Sequence, residues 1–148
     1  RFYFFGPETN KGRKILGDAQ FQFLEEKFQH DLPYTILCSG LTFRGGNENW
    51  SHFPNDFQRL SNLLKSKDNV LFLAGDIHKN KFYPPSHARP CYEIISSGLA
   101  VNYLGLPFEF DNKHNWGMLE IDEQGIDVCL VDKKGRRHAR RHRIDAVN

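Results

Sequence analysis

The chain has 148 residues, 39% hydrophobic with 13 Phe, enough for one domain with a packed core and too apolar for a disordered chain. No apolar run approaches the roughly 20 residues that a membrane-crossing helix needs. The net charge of +2 is unevenly spread: residues 133–148 hold seven Lys and Arg against Asp145 alone, so the other 132 residues carry −4. The three cysteines lie far apart and form no C-x-x-C pair, which argues against a zinc ribbon or a redox motif and for buried thiols.

Residues 1–5 read as an extended aromatic strand ended by Gly6-Pro7. The chain thus opens in mid-strand, and the expectation is a fragment whose missing part includes any export signal. Asp18 is placed to cap a helix, and Phe21, Leu24 and Phe28 give that helix one apolar face to about His30. Pro33 prevents its continuation. Residues 34–39 predict a buried strand ending at Gly40, and a polar segment with Gly45-Gly46-Asn47 follows. Asn55 is placed to cap a second helix, with Phe57, Leu60 and Leu64 inward, to about Lys67. Five consecutive apolar residues, Val70 to Ala74, then predict a strand buried on both faces.

Strand, helix and strand in this order make a crossover connection and hence parallel strands. The loops after Ser39 and Ala74 then share a rim, the edge where open α/β sheets take ligands. That rim holds residues 47–52 and Gly75-Asp76-Ile77-His78. A carboxylate and an imidazole two residues apart make half of a metal site; equally, Asp76 could cap the turn and His78 lie on the surface. Beyond Pro84-Pro85, residues 92–96, 117–122 and 126–131 predict strands of an antiparallel meander, with 137–147 as a last strand.

At these residues the chain resembles the C-terminal half of alkaline phosphatase D (PhoD-like) enzymes, in the calcineurin-like metallophosphoesterase superfamily. Ile15-Leu16-Gly17-Asp18-Ala19-Gln20 with Phe23-Leu24 is similar to L-G-x-x-Q-x-x-W-L, with Phe23 for Trp. Glu48-Asn49-Trp50-Ser51-His52-Phe53-Pro54 with Arg59-Leu60 is similar to E-N-W-x-H-F-P-x-x-x-x-R-L. Leu73-Ala74-Gly75-Asp76-Ile77-His78 resembles L-S-G-D-V-H. Tyr92-Glu93-Ile94-Ile95-Ser96-Ser97-Gly98-Leu99 resembles Y-E-V-T-S-S-G-L, and residues 115–122 resemble N-F-G-x-I-E-I-D. Thr42 stands where the family has Gln, and Asn102 follows Ala100-Val101 where a Thr-His pair is frequent.

The resemblance implies an α/β fold: part of a calcineurin-like sandwich, parallel strands with helices followed by an antiparallel meander. Residues 1–148 would be the C-terminal part of a single domain, without the front half that carries the family's first metal-binding segments. It further implies hydrolysis of phosphomonoesters or phosphodiesters with two or more metal ions of Fe/Ca, Zn or Mn type, Asp76 and His78 being ligands. His52 and Asn49 would contact the phosphate or protonate the leaving group. Asn47, Trp50 and Lys79 would line the substrate, although Trp50 equally suits packing and Lys79 a solvated surface. Implied partners are the phosphoester, the missing N-terminal half, and a second copy pairing through the apolar face left bare; the implied compartment is periplasmic or extracellular. The competing class is a non-catalytic module that binds an anion or a partner. Nucleic acid is disfavoured for the basic tail, because no aromatic residues interleave with its charges.

Overall fold

The computed structural model describes residues 13–30, 32–46, 48–98, 114–132, 134–135 and 142–146. The expected strand at 1–5 and residues 137–141 of the expected last strand, together with Asn47 and Asn102, lie outside the described residues.

Among the described residues, two α-helices, seven strands and a short 3₁₀ turn follow one another. Helix α1 (Asp18–Lys27) is followed by β1 (Thr35–Ser39), the 3₁₀ turn Trp50–His52, α2 (Pro54–Lys65) and β2 (Val70–Ala74). Then come β3 (Lys81–Tyr83), β4 (Tyr92–Ile95), β5 (Trp116–Ile121), β6 (Gly125–Val131) and β7 (His142–Asp145). One sheet has the order β1-β2-β4-β3, with β1, β2 and β4 parallel and β3 antiparallel. The second sheet is the antiparallel meander β5-β6-β7.

Strand β2 explains the layering. Successive side chains of a strand point to opposite faces. Val70, Phe72 and Ala74 pack with Phe21, Phe28, Leu60 and Leu64 of the helical layer. Leu71, with Leu73 beside it, packs with Ile126, Val128, Leu130 and Ile144 of the second sheet. Both faces are covered, and each fully buried apolar side chain of the strand contributes about 1.5–3 kcal/mol. The α/β class, the parallel pairing of β1 with β2 and the antiparallel meander are as the sequence predicts.

Local expectations needed correction in several places. Gly17, not Asp18, is the N-cap of α1; its amide donates to Gln20 Oε1 at 2.9 Å. Asp18 instead pairs with Lys14 at 2.7 Å, and this lysine holds the carboxyl below its ordinary range. Helix α2 begins at Pro54 with Phe53 as N-cap, because proline is preorganised for the first helical position; Asn55 lies inside the helix. Strand β1 is not buried on both faces. Among the described residues it is the sheet's edge, and Ile36 and Cys38 are exposed. Strand β4 joins the parallel sheet beside β2 instead of the meander, and β3 pairs with it beyond.

Arg59 links the helices: its Nε donates to Glu25 Oε1 at 2.7 Å, and the guanidinium sits 4.4 Å from the Phe21 ring centroid. Of the basic tail, Arg143 donates to Asp122 Oδ1 at 2.8 Å and reaches Asp127 at 3.3 Å, while Ile144 is buried.

The three cysteines are free thiols; Cys91 and Cys129 are buried and Cys38 is exposed. Burial, and secondarily the Glu93 charge, pushes the Cys91 thiol up to about 12. Above pH 9 the unfolded chain therefore loses this thiol's proton while the folded chain keeps it. Stability should fall as pH rises, by up to about 1.4 kcal/mol per pH unit from this group. Urea melts between pH 8.5 and 10.5 should show a shallower decline for Cys91→Ala than for the parent; equal slopes would refute the assignment. In the same protein, iodoacetamide should label Cys38 long before the other two.

Candidate functional site

The parallel strands β1, β2 and β4 end side by side, so the loops after Ser39, Ala74 and Ile95 form one rim. After β2 the chain enters a tight turn in which the Ile77 amide donates to the Gly75 carbonyl at 2.9 Å. Asp76 and His78 both hold left-handed backbone, with φ of 66° and 51°. Non-glycine residues pay for that conformation, Asp and His less than most. Ile77 is partly buried against the core while Asp76, His78 and Lys79 are exposed. The turn thus drives one hydrocarbon inward and presents its polar neighbours outward. A Cβ on Gly75 would lie 3.5 Å from Ser97 Cβ, so the turns after β2 and β4 are closely apposed. Ser97 Oγ is buried there with no hydrogen-bond partner among the described residues.

The second rim segment is held from below. Thr42 is fully buried; its hydroxyl donates to the Gly45 carbonyl, and its own carbonyl accepts from the Trp50 amide at 2.9 Å. Phe43 N donates to Glu93 Oε1 at 2.7 Å. Asn49 is buried and caps the 3₁₀ turn: its Oδ1 accepts from Ser51 N at 3.0 Å, while its Nδ2 lies 3.3 Å from His52 Nε2. An amide NH₂ can only donate, so His52 Nε2 is the acceptor and the neutral ring carries its proton on Nδ1. The Trp50 indole N–H donates to Ser39 Oγ at 2.9 Å, and the ring is buried.

Between α1, the start of β1's loop and this segment lies a cavity of about 750 Å³. Leu16, Phe23, Leu24, Leu37 and Leu41 give it apolar walls, and Glu48 and Asp76 are on its lining. Trp50 lines it as well; Asn49, His52, His78 and Lys79 do not. The predicted residues therefore divide. Asp76 and His78 share one turn, Asn49 and His52 touch each other, Lys79 stands in solvent, and Asn47 lies outside the described residues. Sequence reasoning missed Asn115, which is buried and donates to the His78 carbonyl at 2.9 Å. Its place in the N-x-G stretch was the only signal available.

Among the described residues no three His, Cys, Asp or Glu side chains come together to hold a metal ion. The described residues thus do not make a complete metal centre, and no catalytic step follows from them through a metal. Among the described residues no helix is long and apolar enough to cross a membrane.

No protein-family profile matches the chain, and no curated protein matches it. Among solved structures, the chain is similar to a conserved uncharacterised protein of Streptococcus pneumoniae TIGR4, described as a predicted phosphoesterase. The identity is 12% and the TM-score 0.38, over 62% of this chain and 49% of that one. This chain therefore spans about half of that protein's length, and a likeness of this degree carries no argument about activity.

Proposed function

We propose that the chain is a segment of a metal-dependent hydrolase of phosphomonoesters or phosphodiesters, in which Asp76 and His78 supply two of the metal ligands. One observation carries the reading. Two non-glycine residues of opposite ligand chemistry, one hard oxygen and one imidazole nitrogen, both hold left-handed backbone in one exposed turn at the end of the central strand. Such backbone costs about 1–3 kcal/mol per residue and concentrates at functional sites. A bound metal would neutralise phosphoryl charge and acidify a water. The remaining ligands would have to come from residues other than those described. His52, with its proton on Nδ1 and its ring oriented by Asn49, is the group that would exchange a proton on this rim.

The test is a Mn²⁺ titration of the ¹⁵N-labelled chain. Paramagnetic broadening should appear first at residues 75–80. Asp76→Asn and His78→Ala should each weaken it by at least the roughly 10–100-fold that loss of a mere outer-shell partner costs. Broadening that starts elsewhere and ignores both substitutions would remove the reading. Hydrolysis of bis(p-nitrophenyl) phosphate by this chain alone, with added Mn²⁺ or Zn²⁺, would show that the remaining ligands come from this chain itself.

A further inference from the structure

Three asparagine side chains tie the two sheets together, each amide donating to a backbone carbonyl across the gap. Asn69 Nδ2 reaches Asp145 O at 2.8 Å, at the entrance of β2. Asn80 Nδ2 reaches Val131 O at 2.9 Å, and Asn115 Nδ2 reaches His78 O at 2.9 Å, both on the rim side. Asn115 differs from the other two in being 4% exposed, and like Asn80 it uses both ends of its amide. Its Oδ1 accepts from the Gly98 amide at 3.2 Å, with Ser96 Oγ at 3.5 Å. Ser96 Oγ in turn donates to Asn80 Oδ1 at 2.7 Å.

The partners settle which end is which. A backbone N–H can only donate and a carbonyl can only accept, so Oδ1 must face Gly98 and Nδ2 must face His78. Reversing the amide would set donor against donor and acceptor against acceptor. One planar group thereby spans the turn after β2 and the turn after β4, and it does so from the start of β5. The turn it holds is the one with two residues in left-handed backbone, where one hydrogen bond and the conformational penalty are of similar size.

We propose that Asn115 is a positioning residue of the rim: anchored in the second sheet, its amide keeps turn 75–80 in the conformation that presents Asp76 and His78. Its consequence for metal affinity rests on the function proposed above; its hold on the backbone does not. Substitution Asn115→Asp keeps the shape and the acceptor for Gly98 but removes the donor and sets a carboxylate oxygen against the His78 carbonyl. That substitution should release the turn.

The experiment uses the whole ¹⁵N,¹³C-labelled chain. In the parent, His78 should show the strong intraresidue amide–Hα cross-relaxation of left-handed backbone, and a scalar coupling should be detected across the bond from Asn115 Nδ2 to the His78 carbonyl carbon. In Asn115→Asp the His78 signature should be lost, and Mn²⁺ broadening of residues 75–80 should need roughly tenfold more metal. Asn69→Ala removes a cross-sheet amide at the far end and should leave both readouts unchanged, which a general loosening of the sandwich would not. A folded Asn115→Asp chain that keeps the left-handed His78 signature overturns the proposal. Should that variant fail to fold, the parent's coupling across the bond decides, and its absence is equally fatal. If the parent shows no Mn²⁺ broadening at the turn, the metal reading falls while the backbone readouts still judge Asn115.

Discussion

Glu93→Ala is expected to cost about 3 kcal/mol, the lower end of the 3–5 kcal/mol range for breaking a buried ion pair. The carboxylate is fully buried on β4, and its two oxygens are both used: Oε1 takes the Phe43 amide at 2.7 Å and Oε2 takes Arg89 Nε at 2.7 Å. Removing it strands a buried backbone donor and leaves a guanidinium without its counter-charge. Arg89 softens the blow. It keeps about a fifth of its side chain in water, donates to the Arg44 carbonyl at 3.2 Å and lies 4.2 Å from the Tyr83 ring centroid, so it can rehydrate. The cost lies mainly with the Phe43 amide and with the vacated volume. Glu93→Gln should lose less, since its carbonyl can still accept from Phe43 while its NH₂ confronts Arg89. Urea denaturation should show a lowered midpoint at unchanged m for both, with alanine the worse. A loss below about 1 kcal/mol for alanine would mean that the Phe43 amide finds water instead. The consequence reaches the rim, because Phe43 is the anchor from which the segment carrying Asn49 and His52 departs.

Asp56→Ala should cost about 2–4 kcal/mol and should open the cavity beside α1. Asp56 is 5% exposed in the first turn of α2, and its Oδ2 accepts from Ile15 N at 2.5 Å and from Leu16 N at 3.1 Å. Each stranded donor costs about 1–3 kcal/mol, less whatever water recovers once the segment loosens. The acidic side chain also sits at the positive end of the α2 dipole, a further stabilising contribution of about 0.3–1 kcal/mol. Leu16 forms part of the cavity wall, so the substitution should raise hydrogen exchange at residues 15–17 well before it touches β2. Asp56→Asn, which keeps one acceptor, should restore most of the protection. Unchanged exchange at residues 15–17 in the alanine variant would show that the segment is held by its packing on α1 alone.

Much of the sandwich was legible in the residues themselves. The unbroken apolar run of β2 announced a strand covered on both faces, and the helix between two such runs announced their parallel pairing. The turn Glu123-Gln124-Gly125 between alternating runs announced the β5-β6 hairpin, whose Asp122 accepts from the Gln124 and Gly125 amides at 2.8 Å. These are local signals, written in periodicity and turn chemistry within a few residues. Asp76 and His78 stand out in the same way, as polar residues directly after a buried strand.

What the fold alone decided was neighbourhood. Nothing in residues 34–39 says that β1 lies outermost among the described strands, because a strand's pattern records which faces are covered and not whether its edge is paired. Strand β4 could have opened the meander; it lies beside β2 because the chain returns there through a connection that periodicity does not see. Glu93 reads as an ordinary strand residue until Phe43 and Arg89 are found around it, and Asn115 reads as a turn residue until its amide meets His78. Phe43 stands 50 residues from Glu93 and Asn115 stands 37 from His78, and such pairs are brought together only when loop-closure entropy is repaid by the packed core. The sequence carries its hydrophobic layers openly, whereas its buried polar contacts exist only once those layers have closed over them.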